Sequence, residues 1–402
     1  MISLQRYREL FRVPGVGPVL LASIVGRLPI GIAGLAILLF VQHRSQSFAL
    51  AGTASALYVL GLAVIAPFLG RLIDRIGPRP VLLICGLLYP ATLVALAILV
   101  MSSAHPAWVS AVALAAGATL PPVSACIRTL YPRLITDVSL LQTAYLVDSA
   151  VVEIVFILGP ALVAACMAIG YPEVAILMAA MSAGIGTVVF ARSPPIVSWK
   201  VPAVQRVRSW LGALRPRKLL IVLGTTVLYS IGFGLFEVGV TAHAARAGSP
   251  SAAGIALALA SLGSGAGALI YGSRHWRAPV ARQFVLALIA MAAGILLLVP
   301  IDHLVLYALA SIIAGIPMAT VIASQSLLVS RLATRERMGE SFTWATTCLL
   351  GGISAGIAMG GVMAETLAPY WLLVAAAAVT AAGALLVATC LPSIEPPADP
   401  SP

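Results

Sequence analysis

Twelve apolar blocks follow one another along the chain, each long enough to cross a hydrocarbon core of about 30 Å as a helix. They cover approximately 16–41, 49–71, 80–101, 107–130, 141–168, 173–191, 218–243, 251–273, 280–300, 303–328, 341–363 and 370–391. Lipid offers no partner for a free backbone N–H or C=O, so a spanning segment must be a helix or part of a closed barrel. Barrel strands are short alternating runs of about 9–11 residues, and these blocks are longer and not alternating. Of the 402 residues, 61% are hydrophobic and only 9% are charged. A soluble domain carries about 25% charged residues, so this chain could not cover a water-facing surface. The expected fold class is an all-α integral membrane protein with twelve transmembrane helices. The first block is too long for the apolar core of a signal peptide, about 7–15 residues, and no A-x-A site follows it; it is expected to stay as an anchor.

The net charge of +11 would suit a nucleic-acid binder, but its distribution says otherwise. Twelve spans put both termini on one side. Of the 24 Lys and Arg, 21 fall in the terminal segment and loops of that side, among them Arg6, Arg8, Arg12, Arg71, Arg75, Arg79, Arg128, Arg133, Arg192, Lys200, Arg217, Lys218, Arg282 and Arg331. Only Arg44 and Arg246 fall opposite, and Arg27 lies inside the first span. Positive loops stay cytoplasmic, so both termini are expected there and nucleic acid is not expected as a partner. The Ala- and Arg-rich, Lys-poor usage points to a bacterial inner membrane. The five cysteines all fall inside apolar blocks without CxxC spacing and read as packing residues.

The longest hydrophilic stretch, 192–217, holds Pro194, Pro195, Pro202 and Pro216 and lies between the sixth and seventh spans. It reads as a cytoplasmic linker between halves 1–191 and 218–391, followed by a disordered Pro-rich tail over 392–402. The halves superpose at an offset of 202 residues: Gly52 on Gly254, Gly61 on Gly263, Gly70 on Gly272 and Arg75 on Arg277. Glycines at such spacing let helices approach closely. Duplicated six-helix halves are an architecture of transporters, with the binding site between them near the midplane.

After the second span the chain reads Gly70-Arg-Leu-Ile-Asp74-Arg75-Ile-Gly77-Pro-Arg79-Pro-Val-Leu82. This resembles the loop signature of the major facilitator superfamily, G-x-L-a-D-r-x-G-r-k-x-x-l, with Pro78 in place of a basic residue. Gly70 would permit a close helix contact and Gly77 a tight turn. Asp74 would accept free N–H groups at a helix N-terminus. The resemblance implies that this helix is span eleven, beginning near Gly339-Glu340-Ser341, and that the contact latches the cytoplasmic side shut. The second copy, Gly272-Ser-Arg274-His-Trp-Arg277, lacks the acid. Gly159-Pro160 in span five resembles the end of the antiporter signature of proton-driven drug exporters, whose trailing glycines are here Val163 and Ala164.

Charges inside a membrane are costly and therefore mark candidate sites. At 1.5 Å per residue, Arg27 in span one and Glu153 in span five each lie about 17 Å deep. The resemblance makes these spans neighbours, so an Arg27–Glu153 pair is expected. It is either a proton switch that frees Arg27 for an anionic substrate, or a permanent clamp. Pro29, two residues after Arg27, would interrupt the helix and open a cavity there. Asp148, about 10 Å deep, is expected in a gating network with Arg128 or the loop arginines. Glu237, about 28 Å from the cytoplasmic face, is a second proton site, an attractor of cationic substrate or a residue wetted from outside, with His243 or Arg44 as partner. Candidate substrate contacts on spans one, four, seven and ten are Arg27, Thr119, Tyr229, Glu237, Ser324 and Gln325, with Tyr58, Gln142 and Trp344 beside them; each is also an ordinary helix–helix hydrogen bonder. Pro121-Pro122 and the glycines of span eleven predict bends and close packing.

No Walker sequence, H-E-x-x-H or G-x-S-x-G occurs. No metal, cofactor or catalytic residue is therefore expected. The resemblance implies a secondary active transporter working by alternating access, monomeric, whose partners are a small-molecule substrate, protons and the bilayer. Proton-coupled export of small organic or amphipathic compounds is the leading expectation. Uptake of a small organic anion on Arg27 is the alternative, and a membrane-embedded enzyme or sensor is a third class.

Overall fold

The computed structural model describes the backbone of residues 4–135, 137–199, 217–272, 278–333 and 338–394, and among these every regular element is a helix. In chain order they are α1 (Leu4–Arg12), α2 (Val16–Ser45), α3 (Phe48–Ile76), α4 (Pro78–Met101), α5 (Pro106–Ala118), α6 (Val123–Leu134), α7 (Val138–Ala168) and α8 (Pro172–Ala191). After the four-residue α9 (Pro194–Val197) come α10 (Arg217–Arg246), α11 (Ser251–Gly272), α12 (Val280–Leu297), α13 (Leu304–Leu332), α14 (Met338–Thr366) and α15 (Pro369–Ile394). Among the described residues, twelve segments are long and apolar enough to cross a membrane, in the order and number expected. The fourth crossing is assembled from α5 and α6, because Pro121-Pro122 withholds two N–H groups and the helix stops at Ala118.

Three elements depart from the sequence-based expectation. A short helix, α1, precedes the first span and buries Leu10 against Val16, Val19 and Leu20. α2 runs unbroken through Pro29, which costs one backbone bond without opening the helix. α15 continues through Pro392 to Ile394, so the tail begins later than residue 392.

The helices gather into two units: Met1–Gln46 with Leu60–Arg206, and Ser47–Val59 with Val207–Pro402. α3 is thus shared between them. Within the first unit α2 packs on α7 and α8, and α4 packs on α5 and α8. Within the second, α10 packs on α14 and α15, and α12 packs on α13 and α15. The two packing schemes are the same scheme repeated.

Glycines set the closest approaches, and they repeat too. A Cβ on Gly31 of α2 would overlap the Val155 carbonyl of α7, and one on Gly234 of α10 would overlap the Ile353 carbonyl of α14. A Cβ on Gly61 of α3 would overlap the Leu114 carbonyl, and one on Gly263 of α11 the Ile312 carbonyl. Gly159 of the Gly-Pro pair lies against Gly31 in the same way. Among the described residues, no heavy atom comes within 4 Å of a Cβ placed on Gly70 or on its repeat partner Gly272. Gly77 has φ +87°, a left-handed turn that caps α4 ahead of Pro78, as the loop signature requires.

Backbone oxygens cannot be moved as cheaply as side-chain ends. Gly31→Val should therefore cost about 1–3 kcal/mol or more, read as a lower melting temperature of the purified protein in detergent. Gly70→Ala should leave that temperature unchanged. Equal effects of the two substitutions would contradict this packing.

Candidate functional site

The centre of the first unit is an ion triad. Arg27 on α2 places Nη1 2.6 Å from Asp148 Oδ1, and Arg128 on α6 donates from Nε to Asp148 Oδ2 at 2.8 Å. Arg27 and Asp148 are each 1% exposed, whereas Arg128 is 53% exposed. One carboxylate therefore serves two guanidinium groups, one sealed and one open. Tyr131, one turn beyond Arg128 and also buried, faces the same carboxylate. Its position three residues after Arg128 on one helix face was the available sequence signal.

The expected Arg27–Glu153 pair is not formed, and the reason is a helix boundary. α7 starts at Val138, three residues earlier than its apolar block suggested. At 1.5 Å per residue Asp148 then lies about 15 Å into α7, level with Arg27 about 16 Å into α2, while Glu153 lies about 22 Å in. Helical side chains also lean toward the N-terminus of their own helix, which carries the Arg27 head away from Glu153. Glu153 is half-buried and makes no ion pair among the described residues. Asp148 does meet Arg128 as expected, yet it sits with Arg27 in the interior and not in a separate shallow network.

A second unpaired carboxyl is Glu237 on α10, half-buried and likewise without an ion pair among the described residues. Neither suggested partner reaches it. Arg44 lies 3.9 Å from Glu173, and His243 stacks on Tyr307 with ring centroids 4.3 Å apart. Two of the substrate-contact candidates do come together: Tyr229 on α10 donates its hydroxyl to Gln325 Oε1 on α13, with Phe284 of α12 edge-on to the tyrosine ring at 6.3 Å. Thr119 is engaged elsewhere, bonded to Thr92 at 3.2 Å and back to the Ala115 carbonyl at 2.9 Å. Ser324 bonds back to the Thr320 carbonyl at 2.6 Å. Tyr58 is buried and Trp344 half-buried. Arg75 and Arg79 of the loop signature are exposed. The side chains of Asp74, Gln142 and Glu340, the signature's second copy from residue 273 to 277, and the linker from 200 to 216 lie outside the described residues.

Residues 19–243 match the family model of the Major Facilitator Superfamily, more than half of the chain. The chain belongs to that superfamily. It is 26% identical over 275 residues to the uncharacterized MFS-type transporter y4rN of Sinorhizobium fredii (strain NBRC 101917 / NGR234), covering 66% of this chain and 68% of that protein. Its fold is similar to that of the nucleoside transporter NupG, with a TM-score of 0.70, 16% identity, and coverage of 93% of this chain and 99% of the other. It is similar too to a variant of the peptide transporter POT, with a TM-score of 0.72, 14% identity, and coverage of 96% and 95%. The protein is a membrane secondary transporter of the major facilitator kind, a transporter rather than an enzyme.

Removing one partner of a buried ion pair strands the other charge. Asp148→Asn should cost about 3–5 kcal/mol, seen as a large fall in detergent melting temperature. Glu153→Gln breaks no pair and should stay within about 0.5 kcal/mol. A larger loss in Glu153→Gln than in Asp148→Asn would return Glu153 to the role of partner.

Proposed function

We propose that the protein is a proton-coupled exporter of small organic or amphipathic compounds, with Glu153 as the group that takes up and releases the proton. The observation that carries this reading is the division of labour between two carboxylates on α7. Asp148 is held by two guanidinium groups and could change protonation only by stranding both. Glu153, five residues further along, has no ion pair among the described residues and can exchange a proton without breaking one. A carboxyl within an apolar span needs a reason to be there, and proton relay is the usual one. Glu237 is the second proton candidate on the same ground. The loop signature around Asp74 and the Gly159-Pro160 pair favour export. The buried Tyr229–Gln325 pair offers a polar anchor for substrate on α10 and α13.

The protein resides in the bacterial inner membrane with both termini cytoplasmic; the distribution of Lys and Arg supports this orientation. A second reading, uptake of a small organic anion, rests on one feature: among the described residues no side-chain nitrogen of Arg27 has a hydrogen-bond partner, Nη1 making only its ion pair with Asp148. Its weakness is that Arg27 is already paired and 1% exposed.

Gradient-driven accumulation of a panel of organic compounds in inside-out vesicles tests the proposal. A compound should accumulate only with the vesicle interior acidic, and Glu153→Gln should abolish this at equal expression. Unchanged accumulation in Glu153→Gln would remove Glu153 from the coupling and turn the test to Glu237→Gln. Arg27-dependent accumulation of a polar anion would favour uptake.

A further inference from the structure

α3 changes partners partway along its length. Its first part, in the second unit, runs antiparallel along α14; from Leu60 it belongs to the first unit, where Gly61 lies against Leu114 of α5. The seam with α14 has three rungs, about one helical turn apart on α3. At the first, Glu365 Oε1 accepts from the Ser47 hydroxyl at 2.8 Å and from the Ala49 backbone N–H at 2.9 Å. At the second, Gly52 meets Gly361: a Cβ on Gly52 would stand 2.7 Å from the Gly361 Cα, and one on Gly361 would stand 2.6 Å from the Phe48 carbonyl oxygen. At the third, the Ser354 hydroxyl donates to the Ala56 carbonyl oxygen at 2.8 Å.

The rungs differ in kind. The glycine contact is close packing of two backbones, which holds only while the helices stay parallel to the seam. The Glu365 rung is a carboxylate on the free N–H groups of a helix N-terminus, a favourable place for negative charge. Glu365 is exposed and Ser47 and Ala49 are half-buried; both bonds lie at the exposed carboxylate, where water can replace each when it breaks. Ser47 also accepts the Leu50 N–H at 3.2 Å and can keep the helix start capped by itself. This contact can open without stranding a buried polar group, unlike the Arg27–Asp148 pair.

We propose that Glu365 is a releasable latch at the end of the bundle opposite the chain termini, fastening the start of α3 to α14, and that alternating access requires it to open. The inference rests on the transport cycle and orientation proposed above. In sense it is the reverse of the contact implied for Asp74, where the acid stands at the end of α3 and the receiving helix start belongs to α14.

The test is a thiol placed inside the seam. Ala56→Cys puts it beside the Ser354 rung, where the side chain is 4% exposed. Cells making the full chain are treated from outside with a membrane-impermeant maleimide, and labelling of the chain without Ala56→Cys is subtracted. Adding Glu365→Ala should speed labelling at least about five-fold, and Glu365→Gln less, because its carboxamide oxygen still accepts both bonds. Gly52→Leu, which wedges the seam without touching the carboxylate, should speed it as well. Equal rates with and without Glu365→Ala, at equal folded amounts, would overturn the latch. Faster labelling in inside-out vesicles but not from outside would keep the latch and overturn the orientation.

Discussion

A guanidinium group within a membrane-spanning bundle has to be paired, and most of the first unit follows from how Arg27 is paired. Its partner must come from a helix at the same depth, which brings α7 beside α2. Gly31 and Gly159 then let these two helices close to backbone contact just beyond the pair. Arg128 holds the other oxygen of Asp148 and ties α6 to the same point. The pair is a poor source of net stability, since desolvating two charges offsets much of their attraction. Its value lies in register: the pair fixes the depth at which α2 meets α7.

The second unit has the same helix scheme, and among its described residues no buried ion pair matches Arg27–Asp148. Gly234 and Ile353 take the places of Gly31 and Val155, and the polar contact at its centre is the neutral Tyr229–Gln325 bond. Duplication has preserved the packing and let the charges diverge. A transporter that moves a proton and a substrate has use for such a division. On the function proposed above, the first unit carries the relay on α7, and the second carries the Tyr229–Gln325 anchor together with its own carboxyl, Glu237.

Much of the architecture was legible in the sequence because hydrophobic length and loop charge are one-dimensional signals. The twelve crossings, the repeat through Gly61 and Gly263, the turn at Gly77 and the break at Pro121-Pro122 needed only local chemistry. The partner of Arg27 needed depth, and depth depends on where a helix starts. Val138, Ser139 and Leu140 extend α7 by almost a turn before its strongest apolar run, which moves Asp148 level with Arg27 and Glu153 past it. α1 escaped notice because a nine-residue amphipathic segment carries no spanning signal. Glu365 escaped notice because an exposed acid at a helix end has no local mark of its partner, which is more than 300 residues away in the chain.

The central claim is that Asp148, and not Glu153, is the fixed partner of Arg27. A double-mutant cycle on melting free energies measures this directly. Arg27→Leu and Asp148→Leu, singly and together, should show a coupling of about 1–3 kcal/mol, whereas Arg27→Leu with Glu153→Leu should be additive within about 0.5 kcal/mol. Additivity in the first cycle with coupling in the second would contradict the account.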